Sequence, residues 1–458
     1  MGALTESAIA FLSGESLRDP PAKALQLAVD GFTDCVAVML AGAGEDVTGN
    51  LRRYVADQGG NATSRLVLGD DRATVSQATL VGVGAAHALD FDDYAYSNHV
   101  SALLVPAILA EAERTPCTGA DMLRAYLAGF EIWGAVMKRE PDHLHSKGWH
   151  PTGTFGPIGV TAALAFLRSL NADQVRNALG LAAANGGAVM DNFGTQAKSY
   201  QGARAAEAGV ACVELALAGV DAGPHAIDGS GGLLAALSPQ GNADLDSDAS
   251  WLGDHWIAED DSLNIKMHPT VGASQRGIDA AIQLHRDYAP DPDGISEVRV
   301  HVSEKHAAVM RFHEPATALE AKFSIEFGVA AGLIAGKVGL AELMDDFVAR
   351  DDVQALLRKV SVEIGPDDDP DYPIGAYADT VSFRSGDGEW TESQPVRRFR
   401  GHGQNPMSES ELRQKFMDCV APGYGDAVSV SLFDRLRAVG SISSIDDIPT
   451  MKPRRAIP

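Results

Sequence analysis

Cysteine is scarce and scattered. The chain has four, Cys35, Cys117, Cys212 and Cys419, with no C-x-x-C pair and no metal-ligating spacing, so neither a disulfide framework nor a zinc cluster is expected. Positive charge is short as well: 37 Lys and Arg stand against 62 Asp and Glu, for a formal net charge of −25. Binding to nucleic acid needs clustered cations that displace counterions from phosphate, which excludes it as a partner. The nearest basic run, "MKPRRAIP" at 451–458, reads as a solvated tail. No uncharged apolar run reaches the roughly 18 residues a membrane span requires. The start, "MGALTESAIAFLSGES", lacks a basic segment followed by an apolar one, so no membrane partner and a cytoplasmic location are expected. Cofactor signatures are missing too. "GVGAAH" offers G-x-G without a third glycine, there is no phosphate-cradling G-x-x-x-x-G-K-[ST] loop and no H-E-x-x-H, and "GASQRG" at 272–277 misses the nucleophile elbow by one position. No cofactor and no resident metal are expected.

What remains is a globular composition, 45% apolar and 22% charged over 458 residues, enough for two domains. From about 20 to 220 the chain reads as successive helices. "AKALQLAVDGFTDCVAVMLAG" places Ala24, Leu27, Ala28, Phe32, Val36, Met39 and Leu40 at three- and four-residue steps, and four later segments keep that period. Near 265 the texture changes. "ISEVRVHVSE" alternates Val298, Val300 and Val302 with polar residues, "KVSVEIG" repeats the pattern, and the Gly-rich turn "SGDG" joins two further strands. The expected architecture is mainly α: a large all-helical domain over 1–264, completed by 401–458, and a smaller α+β lid domain over 265–400 with hairpin-paired strands. "GPDDDPDYP" at 365–373 reads as an acidic loop, since it lacks the EF-hand pattern.

Three stretches carry candidate chemistry. In "HALDFDDYAYSNHVSALLVP" a helix would put His87, Asp90 and Tyr94 on one face before breaking ahead of His99. Asp92 and Asp93 would then be solvated, and a metal held by His87, Asp90 and His99 is the weaker alternative. In "GWHPTGTFG", residues 148–156, glycines would uncover the N–H groups of a helix start capped by Thr152 or Thr154, with Pro157 in its first turn and His150 beside the anion held there; close helix packing explains the same glycines equally well. "NFGTQAKSYQGARAAEAG" repeats the design, with Lys198 ahead of a helix opened by Gly202. Two helix starts, one presenting His150 and the other Lys198, suit a shared site for a small compound with several negative charges.

With "HALDFDD", "LVPAILAEAE", "GWHPTGTFG", "ALGLAAANGG", "NFGTQAK", "AKFSIEFGVAAGLIAGKVGL" and "NPMSESELRQKF" in this order, the sequence resembles the MmgE/PrpD family along nearly its whole length. That resemblance implies a homodimer and cofactor-free acid/base chemistry on small polycarboxylates. It implies catalytic roles for Asp90, His99, His150 and Lys198. It also brings Tyr94, Thr152, Gln201 and Lys266 toward the substrate, and the neighbours Arg204 and Arg276 are candidate carboxylate binders. Several positions depart from the family pattern: Val100 replaces a proline after His99, Tyr94 a threonine or serine, Gln201 the histidine three residues after the lysine, and Val271 and Gln275 further family residues. The expected activity is β-elimination or decarboxylation of a di- or tricarboxylate. Epimerisation of a dicarboxylate is the alternative, and a non-catalytic carboxylate-binding relative is the alternative of another class.

Overall fold

In the computed structural model, which describes residues 3–260, 263–371 and 375–454, helix accounts for 56% of the chain. Two compact units form. The first comprises 1–191, 197–264 and 408–458; the second comprises 192–196 and 265–407. The second unit therefore runs past residue 400, and it recruits a short piece of chain from the middle of the helical region.

The first unit is built around the helix Val100–Ala112, all of whose side chains are buried. A helix this apolar buries its whole surface, and Ala22–Ala41, Val75–Ala86, Gly119–Met137 and Pro151–Leu167 surround it. Glycine sets how closely they approach. A methyl group on Gly159 would lie 2.5 Å from the Trp133 ring, and one on Gly129 would lie 2.7 Å from the Gly159 carbonyl oxygen. The helix Ala22–Ala41, with the turn after it, is long and apolar enough to span a bilayer, yet 72% of its most apolar stretch is buried within the fold. The tail returns here: Lys415, on the helix Glu409–Tyr424, pairs with Asp34 at 2.6 Å. The unit is not purely helical, because Ser64–Arg65 and Arg72–Ala73 form a short antiparallel ladder.

The second unit carries a four-stranded sheet. Ile295–Ser303 lies between Val360–Gly365 and Thr380–Ser385, and Trp390–Glu392 forms the far edge. Val298, Val300 and Val302 are fully buried, as their alternation requires. The expectation of hairpin pairing holds only in part: Ile295–Ser303 pairs in parallel with Val360–Gly365. Parallel neighbours need a crossover, and the helix Ile325–Ala335 lies in that connection; its Phe327 and Ala331 pack on Ile278 of the helix Gln275–Tyr288. Residues 372–373 of the acidic loop and 455–458 of the basic tail lie outside the described residues.

Candidate active site

The helix Val75–Ala86 starts with a capping box between Thr74 and Gln77 and stops with His87 as its C-cap. Asp90 then takes φ +50, a left-handed conformation that Asp tolerates better than most residues. Consequently His87, Asp90 and Tyr94 do not share a helix face, contrary to the periodicity. Instead residues 87–99 fold into a loop: Tyr94 and Asn264 exchange backbone hydrogen bonds at 3.0 and 2.9 Å, and Ala95 and Asn98 do the same at 2.9 and 2.7 Å. Lys415 donates to the Phe91 carbonyl at 2.8 Å, so the returning tail anchors this loop.

The expectation that Asp92 and Asp93 are solvated is wrong, because both are fully buried. Asp93 accepts the Ser101 N–H at 3.2 Å, in the first turn of the helix Val100–Ala112. Burial, and then the nearby Asp34 carboxylate, push its carboxyl well above the ordinary range. Asp92 is the opposite case. It lies between two imidazoles, 3.0 Å from His87 Nδ1 and 2.8 Å from His99 Nδ1. Burial alone would raise its pKa, but the two rings outweigh burial and hold it well below the usual carboxylate range. An ionised Asp92 accepts a proton-bearing Nδ1 from each ring, which leaves each Nε2 to act elsewhere.

Lys198 fills the space beside them. Its ammonium donates to Asp90 Oδ1 at 3.0 Å and to His87 Nε2 at 3.1 Å. Rather than preceding a helix opened by Gly202, Lys198 lies in the first turn of the helix Gln196–Leu217 and is buried. The next residue, Ser199, donates to the His87 carbonyl at 3.0 Å and ties that helix to the loop. His99 Nε2 stands 3.8 Å from Asp90 Oδ1. Donor atoms of His87, Asp90, Asp92 and His99 all lie within 4.8 Å of one another, a spacing that suits a metal. The cation found among them is the chain's own ammonium.

His150 completes the group, its ring 6.0 Å from that of His87 and 6.5 Å from that of His99. It is the N-cap of Pro151–Leu167, so Pro151 and not Pro157 opens the helix, and neither Thr152 nor Thr154 caps it. Thr152 Oγ1 instead accepts the His99 N–H at 3.0 Å and positions that residue; Thr154 Oγ1 donates to the His150 carbonyl at 2.9 Å. The glycines of the motif serve packing. Methyl groups on Gly153 and Gly156 would fall 2.5 Å from Ala188 Cβ and 2.4 Å from Leu103 Cδ2. Burial first, then Lys198, then the His87, His99 and His145 rings push His150 well below the ordinary histidine value, so it is neutral near pH 7. Burial and Lys198 also lower His87, against the opposing pull of Asp92.

Of the ten expected site residues, Asp90, His99, His150, Lys198, Thr152 and Gln201 converge here, and Tyr94 lies on the loop that carries Asp90. Arg204 does not join them: it is exposed and pairs at 2.8 Å with Glu207 one turn along its helix. Lys266 and Arg276 belong to the second unit, where both are buried. Arg276 pairs with Asp379 at 2.8 Å and donates to the Ala376 carbonyl at 2.9 Å. Gln275, at a departed family position, holds the turn before it by bonding the N–H and carbonyl of His268 at 3.1 and 3.0 Å. Sequence reasoning missed Asp92; the available signal was an acidic pair at the end of an apolar helix, where burial demands partners.

Two family profiles match the chain, the MmgE/PrpD N-terminal domain over residues 8–246 and the MmgE/PrpD C-terminal domain over 268–433. Among curated proteins it is similar to cis-aconitate decarboxylase of Mus musculus, 27% identical over 401 residues, or 84% of this chain and 80% of the relative. The Homo sapiens enzyme of that name is 27% identical over 362 residues, 76% and 73% of the two chains. A cis-aconitate decarboxylase-like protein, oryM, of Aspergillus oryzae is 26% identical over 424 residues, 87% and 86%.

Proposed function

The chain belongs to the MmgE/PrpD family, and on that premise we propose that it is a cofactor-independent lyase of small tricarboxylates, with decarboxylation of a cis-aconitate-like acid as its reaction. The observation that carries this reading is the buried Asp92 between His87 and His99, which gives His99 a proton-relay face at Nε2. In decarboxylation the C–C bond to the departing carboxylate breaks, and its electron pair stays on the carbon skeleton, spread into a neighbouring carboxylate or double bond. One proton must then reach carbon for each carbon dioxide released. His99, charged at Nε2 and backed by Asp92, delivers that proton and recovers one from water. β-Elimination uses the same nitrogen in the opposite sense, as a base. Lys198 supplies positive charge for a substrate carboxylate.

The test is incubation of the full chain in D₂O with cis-aconitate, citrate, 2-methylcitrate and iminodisuccinate, followed by proton NMR. Carbon dioxide loss with one deuteron placed on carbon supports the decarboxylase, and loss of water the dehydratase. Deuterium on an intact skeleton supports an epimerase instead, and silence from all four contradicts the lyase reading. Family membership also supports a homodimer; a light-scattering mass of one chain contradicts that.

A further inference from the structure

Gln201 stands three residues after Lys198, one helical turn along Gln196–Leu217, so the two side chains share a face. Its amide meets both backbone groups of Val189: Oε1 accepts the Val189 N–H at 2.9 Å and Nε2 donates to the Val189 carbonyl at 3.2 Å. Turning the amide over would set oxygen against oxygen and N–H against N–H, so its orientation is determined. Val189 is itself held in place, because residues 148–150 and 188–190 form a bridge in which His150 N–H donates to Ala188 at 3.0 Å and Met190 N–H to Gly148 at 2.9 Å. The second amide proton of Gln201 faces His150 Nδ1 at 3.2 Å. A nitrogen that accepts there carries no proton, and a neutral imidazole then carries its proton on Nε2.

We propose that Gln201 is a positioning residue that locks His150 as the Nε2–H tautomer, so that His150 acts as a neutral hydrogen-bond donor to charge developing on substrate oxygen and never as the base. Asp92 imposes the opposite tautomer on His99, with Nδ1 as donor, and the two rings are thereby given different tasks. A neutral imidazole aimed at an oxyanion stabilises it without needing to lose its proton. The groups facing His150 agree: Lys198 is a cation, and His87, His99 and His145 are further imidazoles, none of which favours a charged His150. The assignment of a donor role rests on the lyase reading; the tautomer itself does not.

The test is ¹⁵N-detected NMR of the full chain labelled in histidine, with His150 assigned by signal loss in His150→Gln. At pH 7 the wild type should show a proton on Nε2 and none on Nδ1. In Gln201→Glu the carboxylate should draw the proton to Nδ1 and raise the pH at which the ring titrates, while kcat falls tenfold or more and KM stays within about threefold. Wild-type protein protonated at Nδ1, or doubly protonated, overturns the proposal; so does an unchanged tautomer in a folded Gln201→Glu. An Nε2–H tautomer in a protein that turns over no tricarboxylate contradicts the lyase reading and leaves the lock standing.

Discussion

Three imidazoles within a few ångströms of each other are chemically distinct here because each has a different neighbour on its second nitrogen. Asp92 holds His87 and His99 through Nδ1, Lys198 occupies His87 Nε2, and Gln201 meets His150 Nδ1. His87 is spent on the lysine, His99 retains an available relay face, and His150 is kept uncharged. Replacing Asp92 by Asn removes the charge that supports His99 and offers one acceptor to two donors. Asp92→Asn should therefore lower kcat about 100-fold or more, read as carbon dioxide release, with the far-ultraviolet circular dichroism unchanged. His87, His99, His150 and Lys198 were legible in the sequence as residue types near glycines and an apolar helix. Their partners were not, because a tautomer depends on the second nitrogen's neighbour, and Gln201 and Asp92 reach theirs only through the folded chain.

Helix positions were largely readable from three- and four-residue spacing, and Ala22–Ala41 begins and ends where the segment "AKALQLAVDGFTDCVAVMLAG" puts it. What periodicity could not show is where a helix stops for a conformational reason. Val75–Ala86 ends ahead of Asp90 at φ +50, so residues expected on a helix line a loop. Nor could it separate a glycine that uncovers an anion site from one that admits a ring. Gly159 is the second kind: its alanine methyl would press on Trp133 at 2.5 Å. Gly159→Ala should destabilise the protein by about 1–3 kcal/mol, measured by urea unfolding, since an overpacked core must shift side chains or backbone. A second element-level effect concerns the short helix Ile257–Asp260, whose first N–H groups, those of Ile257 and Ala258, donate to Glu131 at 2.8 and 2.9 Å. Burial raises Glu131 to about 7 in spite of these bonds. A carboxyl raised on folding contributes stability that is full below its unfolded value near 4 and is lost as pH climbs through the folded one. Between about pH 4 and 7 that loss amounts to about 3 kcal/mol. Glu131→Gln should flatten this part of the stability curve, and unfolding midpoints at pH 5 and pH 8 check it; an unchanged slope in the variant contradicts the assignment.

Across the whole molecule the two units divide the labour unevenly. The first contains the converged histidines, aspartates and lysine, assembled from an N-terminal loop, two helix starts and a C-terminal helix whose Lys415 anchors the loop at Phe91. Composition was enough to indicate two units, and motif order was enough to indicate the family. Composition could not show that residues 192–196 group with the second unit, since five residues carry no periodicity of their own. The central claim is a division of roles: His99 moves the proton and His150 stabilises charge. It is tested most directly by comparing His99→Gln with His150→Gln on cis-aconitate in D₂O, scoring deuterium placed on carbon. A glutamine amide can donate a hydrogen bond but cannot relay a proton at neutral pH. The account predicts that His99→Gln loses about 10³-fold of the activity while His150→Gln keeps a tenth to a hundredth of it. The reverse order, with His99→Gln active and His150→Gln silent, would contradict the account.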